Sequence, residues 1–210
     1  MTKEYEKLIS ELVAEGYLKS PALIAAFRAV DRRDFVPRAV AKEAYGNYPL
    51  PIGYGQTISQ PLTVAFMLEH LAPEPGEHIL EIGAGSGWQT ALLAHAVGPN
   101  GRVVAVERVL ELAKDAEVNL APYGFVKKGI VKIVTGDGSR GYASDAPYDK
   151  IIAAAAAAHD IPRIWHEELR PGGRIVTPVG QGIVVSDKIS ENEFREKEHL
   201  GFSFVPLVEG

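Results

Sequence analysis

The chain has 210 residues, enough for one α/β domain with a core of its own and too few for two. Its composition, 46% hydrophobic and 23% charged, excludes disorder as the dominant state, and no apolar run approaches the roughly 20 residues of a membrane-spanning helix. The net charge of −5 argues against nucleic acid as a partner, and the lack of cysteine excludes disulfides, thiolate nucleophiles and zinc–sulfur sites.

The first seven residues mix both charges without an apolar stretch, so no signal peptide is read and a cytoplasmic location is expected. Tyr5, Leu8, Ile9, Leu12 and Val13 recur at helical spacing and predict an amphipathic helix near residues 3–15. Ser20-Pro21 predicts the start of a second, with Ser as cap and Leu23, Ile24, Phe27 and Val30 on one face. Residues 45–61 are rich in Gly and Pro and aperiodic, which reads as a long functional loop. Ser59 is then placed to cap a helix carrying Val64, Met67, Leu68 and Leu71.

From His78 onward the runs HILEIG, GRVVAVE, VKIVTGD, YDKIIAAA and GRIVTPVG are short and apolar on both faces. Helical stretches separate the first four, Trp88–Val97 and Leu110–Leu120 among them, and Asp160-Ile161-Pro162 is expected to cap another. Strands of this kind alternating with helices imply an α/β fold with a doubly wound parallel sheet. GIVVSDKIS and GFSFVPL add a C-terminal antiparallel pair, seven strands in all, with the charged segment ENEFREKEH as the solvated loop between them. The whole reads as one domain, 1–210: helices and a covering loop over 1–72, the wound core and terminal strands over 73–210.

In such a sheet ligands bind beyond the carboxyl ends of the strands, where strand order reverses. The first strand runs into Gly83-Ala84-Gly85-Ser86-Gly87, a turn that lets a ligand approach the backbone at a helix N-terminus. Trp88 stands where a dinucleotide fingerprint needs its third glycine, and no phosphate-binding Gly-Lys-Ser/Thr is present. Glu81, two residues before the turn, suits a cationic amine. Glu107 ends the second strand about 20 residues on, where a carboxylate takes ribose hydroxyls. Asp137-Gly138 ends the third and suits an adenine edge. Each acid alone is more often a solvated strand end. Together they fit an amine-bearing nucleoside without phosphate, S-adenosylmethionine.

The ExGxGSG turn with its Glu and Asp-Gly strand ends resembles class I methyltransferases. More closely, LPIGYGQTISQP, HILEIGAGSGWQT, GDGSRGY, APYDKII, LRPGGRIVTPVG and FVPL follow one another as in protein-L-isoaspartate O-methyltransferases, over roughly residues 5–207. That resemblance implies a Rossmann-like sheet, with its last two strands swapped relative to most class I enzymes. It implies Ser59 as the active-site residue. Gln56, Thr57, Ile58, Ser59, Glu81, Gly83, Gly85, Ser86, Gly87, Glu107, Arg108, Asp137 and Gly138 would contact the cofactor. The implied activity is methylation of the α-carboxylate of L-isoaspartyl residues in damaged proteins and peptides, with S-adenosylhomocysteine as product.

Other features have plainer readings. The six histidines lack metal-ligand spacing, so no metal is expected. His159-Asp160, past a strand end, is a candidate substrate contact or a surface pair. Ala153–Ala158 reads as a strand end and loop whose small side chains admit the cofactor, and Trp88 as a core residue. No nucleic acid or membrane partner is expected, and a monomer is. The segment after Gly180 is shorter than in many relatives, so contacts beyond Ser59 are left open. Two alternatives stand: a class I methyltransferase with a small-molecule or RNA acceptor, and a non-catalytic cofactor-binding adaptor.

Overall fold

The computed structural model describes residues 2–208. Two helices lead, α1 (Lys3–Ala14) and α2 (Pro21–Ala29). Thr2 caps α1 by accepting the Tyr5 amide, and Tyr5, Leu8, Ile9 and Leu12 bury one face. Val13, read onto that face, is 39% exposed, because it lies about 100° round the helix from Leu12. Ser20 does stand at the N-cap of α2, yet its hydroxyl donates to Glu69 Oε2 at 2.6 Å and caps nothing.

The segment read as a long functional loop contains a hairpin, β1 (Leu50–Gly53) and β2 (Gln56–Ile58). Tyr54 and Gly55, between the strands, have φ of 53° and 72°. Two successive left-handed residues match the right-handed twist of paired strands. Strands this short carry no visible period. Next comes α3 (Pro61–Leu71), whose N-cap is Gln60 with no side-chain cap bond. Ser59 therefore does not cap it; Pro61 has no amide to satisfy and its ring presets the first helical φ.

The main sheet is built from β3 (His78–Ile82), β4 (Arg102–Glu107), β5 (Val131–Thr135), β6 (Tyr148–Ala153), β7 (Leu169–Val179), β8 (Gly182–Ser190) and β9 (Glu193–Leu200). Helices α4 (Trp88–Val97), α5 (Leu110–Leu120) and α6 (Arg163–Glu168) connect its strands. The order is β5-β4-β3-β6-β7-β8-β9, parallel through β7 and antiparallel beyond it. The chain steps outward from β3 to β5 and then returns to the other side of β3 with β6, so the switch point lies between β3 and β6. The last three strands follow in chain order, with no terminal strand inserted between its predecessors.

Successive residues feed two cores. Ile79, Val103, Ile152 and Val176 join α1 to α5 on one face. Leu80, Val104, Ile151 and Ile175 join Trp165 of α6 on the other. Trp88 lies in the first core, edge-on to Phe27, as read.

Three C-terminal expectations change. The ENEFREKEH segment is not a loop but strand β9, paired with β8 from Gly182↔Leu200 to Ser190↔Glu193. Its charges suit it to the sheet edge, where they discourage pairing with another chain. GFSFVPL is not a strand: it makes one isolated bridge, Ala156↔Pro206. Helix α6 begins at Arg163 with Pro162 as its N-cap, so Asp160 lies outside it.

Candidate active site at the switch point

Leaving β3, the chain must turn sharply to enter α4. Gly83 and Gly85 adopt φ of 85° and 54°, where a β-carbon is strained. The Gly83 amide donates to the Val106 carbonyl, and the Gly85 amide donates to Glu107 Oε2 at 2.8 Å. Glu107 Oε1 accepts the Val109 amide at 2.9 Å, so one carboxylate ties the glycine turn to the end of β4.

Asp137, after β5, accepts the Ser139 amide and hydroxyl on Oδ1, at 3.0 and 2.7 Å, and pairs with Arg140 through Oδ2 at 3.5 Å. Gly138 must be glycine for close approach, since an added Cβ would stand 2.5 Å from Ile82 Cγ2.

Three cavities meet here. The first, about 210 Å3, holds Gln56, Thr57, Gly83, Gly85, Glu107, Arg108, Asp137 and Gly138 of the expected residues. The second is a neck of about 40 Å3 that adds Ile58, Ser59 and Ser86. The third, about 300 Å3, is lined by Thr57, Ser59, Thr63 and Ser203 among others and by no charged side chain. Thr57 and Ala154 border all three, and Ser59 borders the neck and the outer cavity. The alanine run thus contributes the small wall expected of it.

Two expected residues stand elsewhere. Gly87 lines none of these cavities; its place is the N-cap of α4. Glu81 is fully buried behind the turn, accepting from Thr90 Oγ1 at 2.5 Å and Gln89 Nε2 at 3.1 Å, and it does not reach a cavity wall. Burial pushes its carboxyl up to about 8, against the opposing pull of the Thr90 and Gln89 hydrogen bonds and with a smaller push from Glu107. His159 is exposed and also off these walls.

Sequence reasoning missed the C-terminal wall and a buried arginine. Val205–Val208 closes the first cavity, bound through Ala156, whose amide donates to the Val205 carbonyl and whose carbonyl accepts from the Leu207 amide. The motif FVPL reads as strand from its apolar residues, which hid its place on the cavity wall. Arg32, between α2 and the hairpin, carried no signal at all.

The first cavity fits a nucleoside: a carboxylate faces it for hydroxyls, and Ile82, Val106 and Val109 offer apolar walls for a flat ring. Among the described residues no group of His, Asp and Glu is arranged to hold a metal ion, and no helix is long and apolar enough to cross a membrane. A wound sheet with a cavity fit for a nucleoside at its switch point, adjoined by the neck and by a third, hydroxyl-lined cavity, has the architecture of a class I methyltransferase.

The family model described as protein-L-isoaspartate(D-aspartate) O-methyltransferase matches residues 3–210, and the chain belongs to that family. A protein-L-isoaspartate O-methyltransferase of Methanopyrus kandleri is 44% identical over 207 residues, which cover 97% of this chain and 90% of that one. The like-named protein of Aeropyrum pernix is 44% identical over 206 residues, 96% and 78% of the two chains. Among solved structures, a protein-L-isoaspartate O-methyltransferase superposes with a TM-score of 0.87 at 27% identity, over 98% of this chain and 66% of its own. A Plasmodium falciparum structure in complex with S-adenosyl-L-homocysteine covers both chains fully at a TM-score of 0.89 and 21% identity, a likeness of fold.

Proposed function

We propose that the protein methylates the free α-carboxylate of L-isoaspartyl residues in damaged proteins and peptides, using S-adenosylmethionine. Gln56, Thr57, Gly83, Gly85, Glu107, Asp137 and Gly138 would hold the nucleoside part, and Ile58, Ser59 and Ser86 the part reaching into the neck. When bound, that cofactor supplies an electrophilic sulfonium methyl group.

The observation that carries the reading is the position of Ser59 between neck and outer cavity. A carboxylate acceptor is already ionised at neutral pH, far above its ordinary pKa of roughly 4. No base is required, and the walls of the outer cavity offer none. Ser59 has a hydroxyl to donate to the incoming oxygen, and Thr57 and Thr63 stand beside it. Their work is alignment and removal of water, which can supply about 7–11 kcal/mol in favourable cases. The following backbone nitrogen attacks the methyl ester carbonyl and expels methanol as it closes a cyclic imide, and imide hydrolysis returns part of the material to normal aspartate.

The test offers methyl-labelled S-adenosylmethionine with paired peptides that differ only in Asp or isoAsp. Base-labile label on the isoAsp peptide alone supports the reading. Label on neither, with tight binding of S-adenosylhomocysteine, would make the protein a cofactor-binding adaptor.

A further inference from the structure

Arg32 has no exposed surface, yet none of its hydrogen bonds or ring contacts is to a carboxylate. It opens the short turn Arg32–Phe35 that follows α2. Nη1 donates to the carbonyls of Ala44 at 2.7 Å and Gly46 at 3.1 Å. Nη2 donates to those of Tyr48 at 3.0 Å and Ser59 at 3.2 Å. The guanidinium carbon lies 5.4 Å from the centroid of Trp88, whose ring borders the neck. Burial draws its pKa down to about 10, which leaves it charged at neutral pH.

A buried cation is costly unless its donors are met; here Nη1 and Nη2 are met by backbone oxygens alone, while Nε is buried with no hydrogen-bond partner. All four belong to one stretch of chain. Three precede the hairpin β1–β2 and one follows it, so the guanidinium clasps both ends of the segment that carries Gln56, Thr57 and Ser59. The planar fork is what makes this possible. A lysine ammonium is a point charge and cannot face two pairs of carbonyls at once. The clasp holds Ser59 by its carbonyl, at the residue that borders both the neck and the outer cavity.

We propose that Arg32 is a positioning residue for methyl transfer: it fixes the main chain at Ser59 and the hairpin beside it, so that the acceptor is held in line. This rests on the methyltransferase reading above. Arg32 touches neither reactant, and its effect passes through Ser59. The clasped segment gives the cofactor cavity only Gln56 and Thr57, and the rest of its lining comes from the strand ends and the Val205–Val208 wall.

The experiment compares Arg32→Lys and Arg32→Gln with the unaltered protein, each also in a Ser59→Ala background. Expected are kcat lower by about 10- to 100-fold, the scale of a small misplacement of reacting groups, and a smaller loss of S-adenosylhomocysteine affinity, because the clasped segment supplies only part of that cavity's wall. In the Ser59→Ala background the same substitutions should lower kcat far less, because paired residues are non-additive. Amide hydrogen exchange over residues 44–59 should quicken in both variants. Unchanged kcat, an equal fall in both backgrounds, or loss of product binding in both variants overturns the proposal, since each points to no role or to general support of the fold. If the unaltered protein labels no isoaspartyl peptide, the reaction reading fails, and exchange over 44–59 alone then decides whether the clasp exists.

Discussion

Thr90 Oγ1 donates a 2.5 Å hydrogen bond to Glu81 Oε2, and neither residue has any exposed surface. The carboxyl that the strand-end pattern offers to a cofactor amine thus faces the first turn of α4 and fastens it to β3. Its position in sequence is that of a ligand residue, while its environment is that of a core group.

The pH dependence follows from the sign of its shift. Burial raises the Glu81 pKa from an ordinary 4.5 to about 8 in the folded chain. Its contribution to stability is full below pH 4.5, where folded and unfolded chains both hold the proton. It declines as pH rises toward about 8, because only the unfolded chain releases the proton in that interval. Glu81→Gln mimics the protonated acid and should flatten this decline without loss of S-adenosylhomocysteine binding. Urea midpoints of both proteins across the interval decide it. Parallel curves would remove the buried-acid account, and lost binding would restore Glu81 to the cofactor.

The wound core was legible because strands such as Ile79–Ile82 and Val103–Val106 are buried on both sides, and such runs have few other uses. Edges were not. Glu193–Leu200 pairs through its backbone while its side chains meet water, so nothing in its composition separates it from a loop. Phe204–Leu207 is apolar because it walls a cavity, and apolar residues read as strand whichever job they do. The glycine turn, Glu107, Asp137 and the Thr57–Ser59 stretch stood out by motif. Arg32 could not, since its four acceptors are backbone carbonyls, and every sequence offers those.

Ser59 gives the sharpest separation of two roles. It stands outside α3, whose N-cap is Gln60, so Ser59→Ala removes no cap bond. Melting temperature should stay unchanged, whereas a lost cap would cost roughly 1 kcal/mol. Transition-state stabilisation should fall by about 1–3 kcal/mol, the scale of an unmade hydrogen bond to a charged group. That is about a 5- to 150-fold loss in kcat/KM. Steady-state kinetics with an isoaspartyl peptide, beside a melting curve, tells them apart, and a stability loss without a rate loss would reverse the assignment.

Gly136 and Gly138 flank Asp137 and differ in the room around them. A Cβ on Gly138 would meet Ile82 at 2.5 Å on the cavity wall, while one on Gly136 would find Val106 Cγ1 at a comfortable 3.9 Å. Overpacking of this kind typically costs about 1–3 kcal/mol. Gly138→Ala should therefore weaken S-adenosylhomocysteine binding by about tenfold or more, and Gly136→Ala should leave it unaltered. Calorimetric titration of the pair checks this. Equal affinities for the two variants would mean that Ile82 yields freely and the wall is soft.

Arg108, on the wall of the first cavity, donates from Nη1 to the Val208 carbonyl at 3.0 Å. With the two Ala156 backbone bonds it holds Val205–Val208 down as a strap along one side of the cavity. Arg108→Ala removes one bond at the exposed end and keeps the two at Ala156, so the strap should loosen without detaching. A single such bond contributes about 0.5–1.5 kcal/mol, which corresponds to about a 2- to 10-fold faster release of S-adenosylhomocysteine. The association rate should hardly move, because the lost bond acts on the strap that closes the cavity and not on the approach of the ligand. Stopped-flow measurement of both rates tests the strap: a variant slower to bind and unchanged in release would assign Arg108 to capture of the ligand.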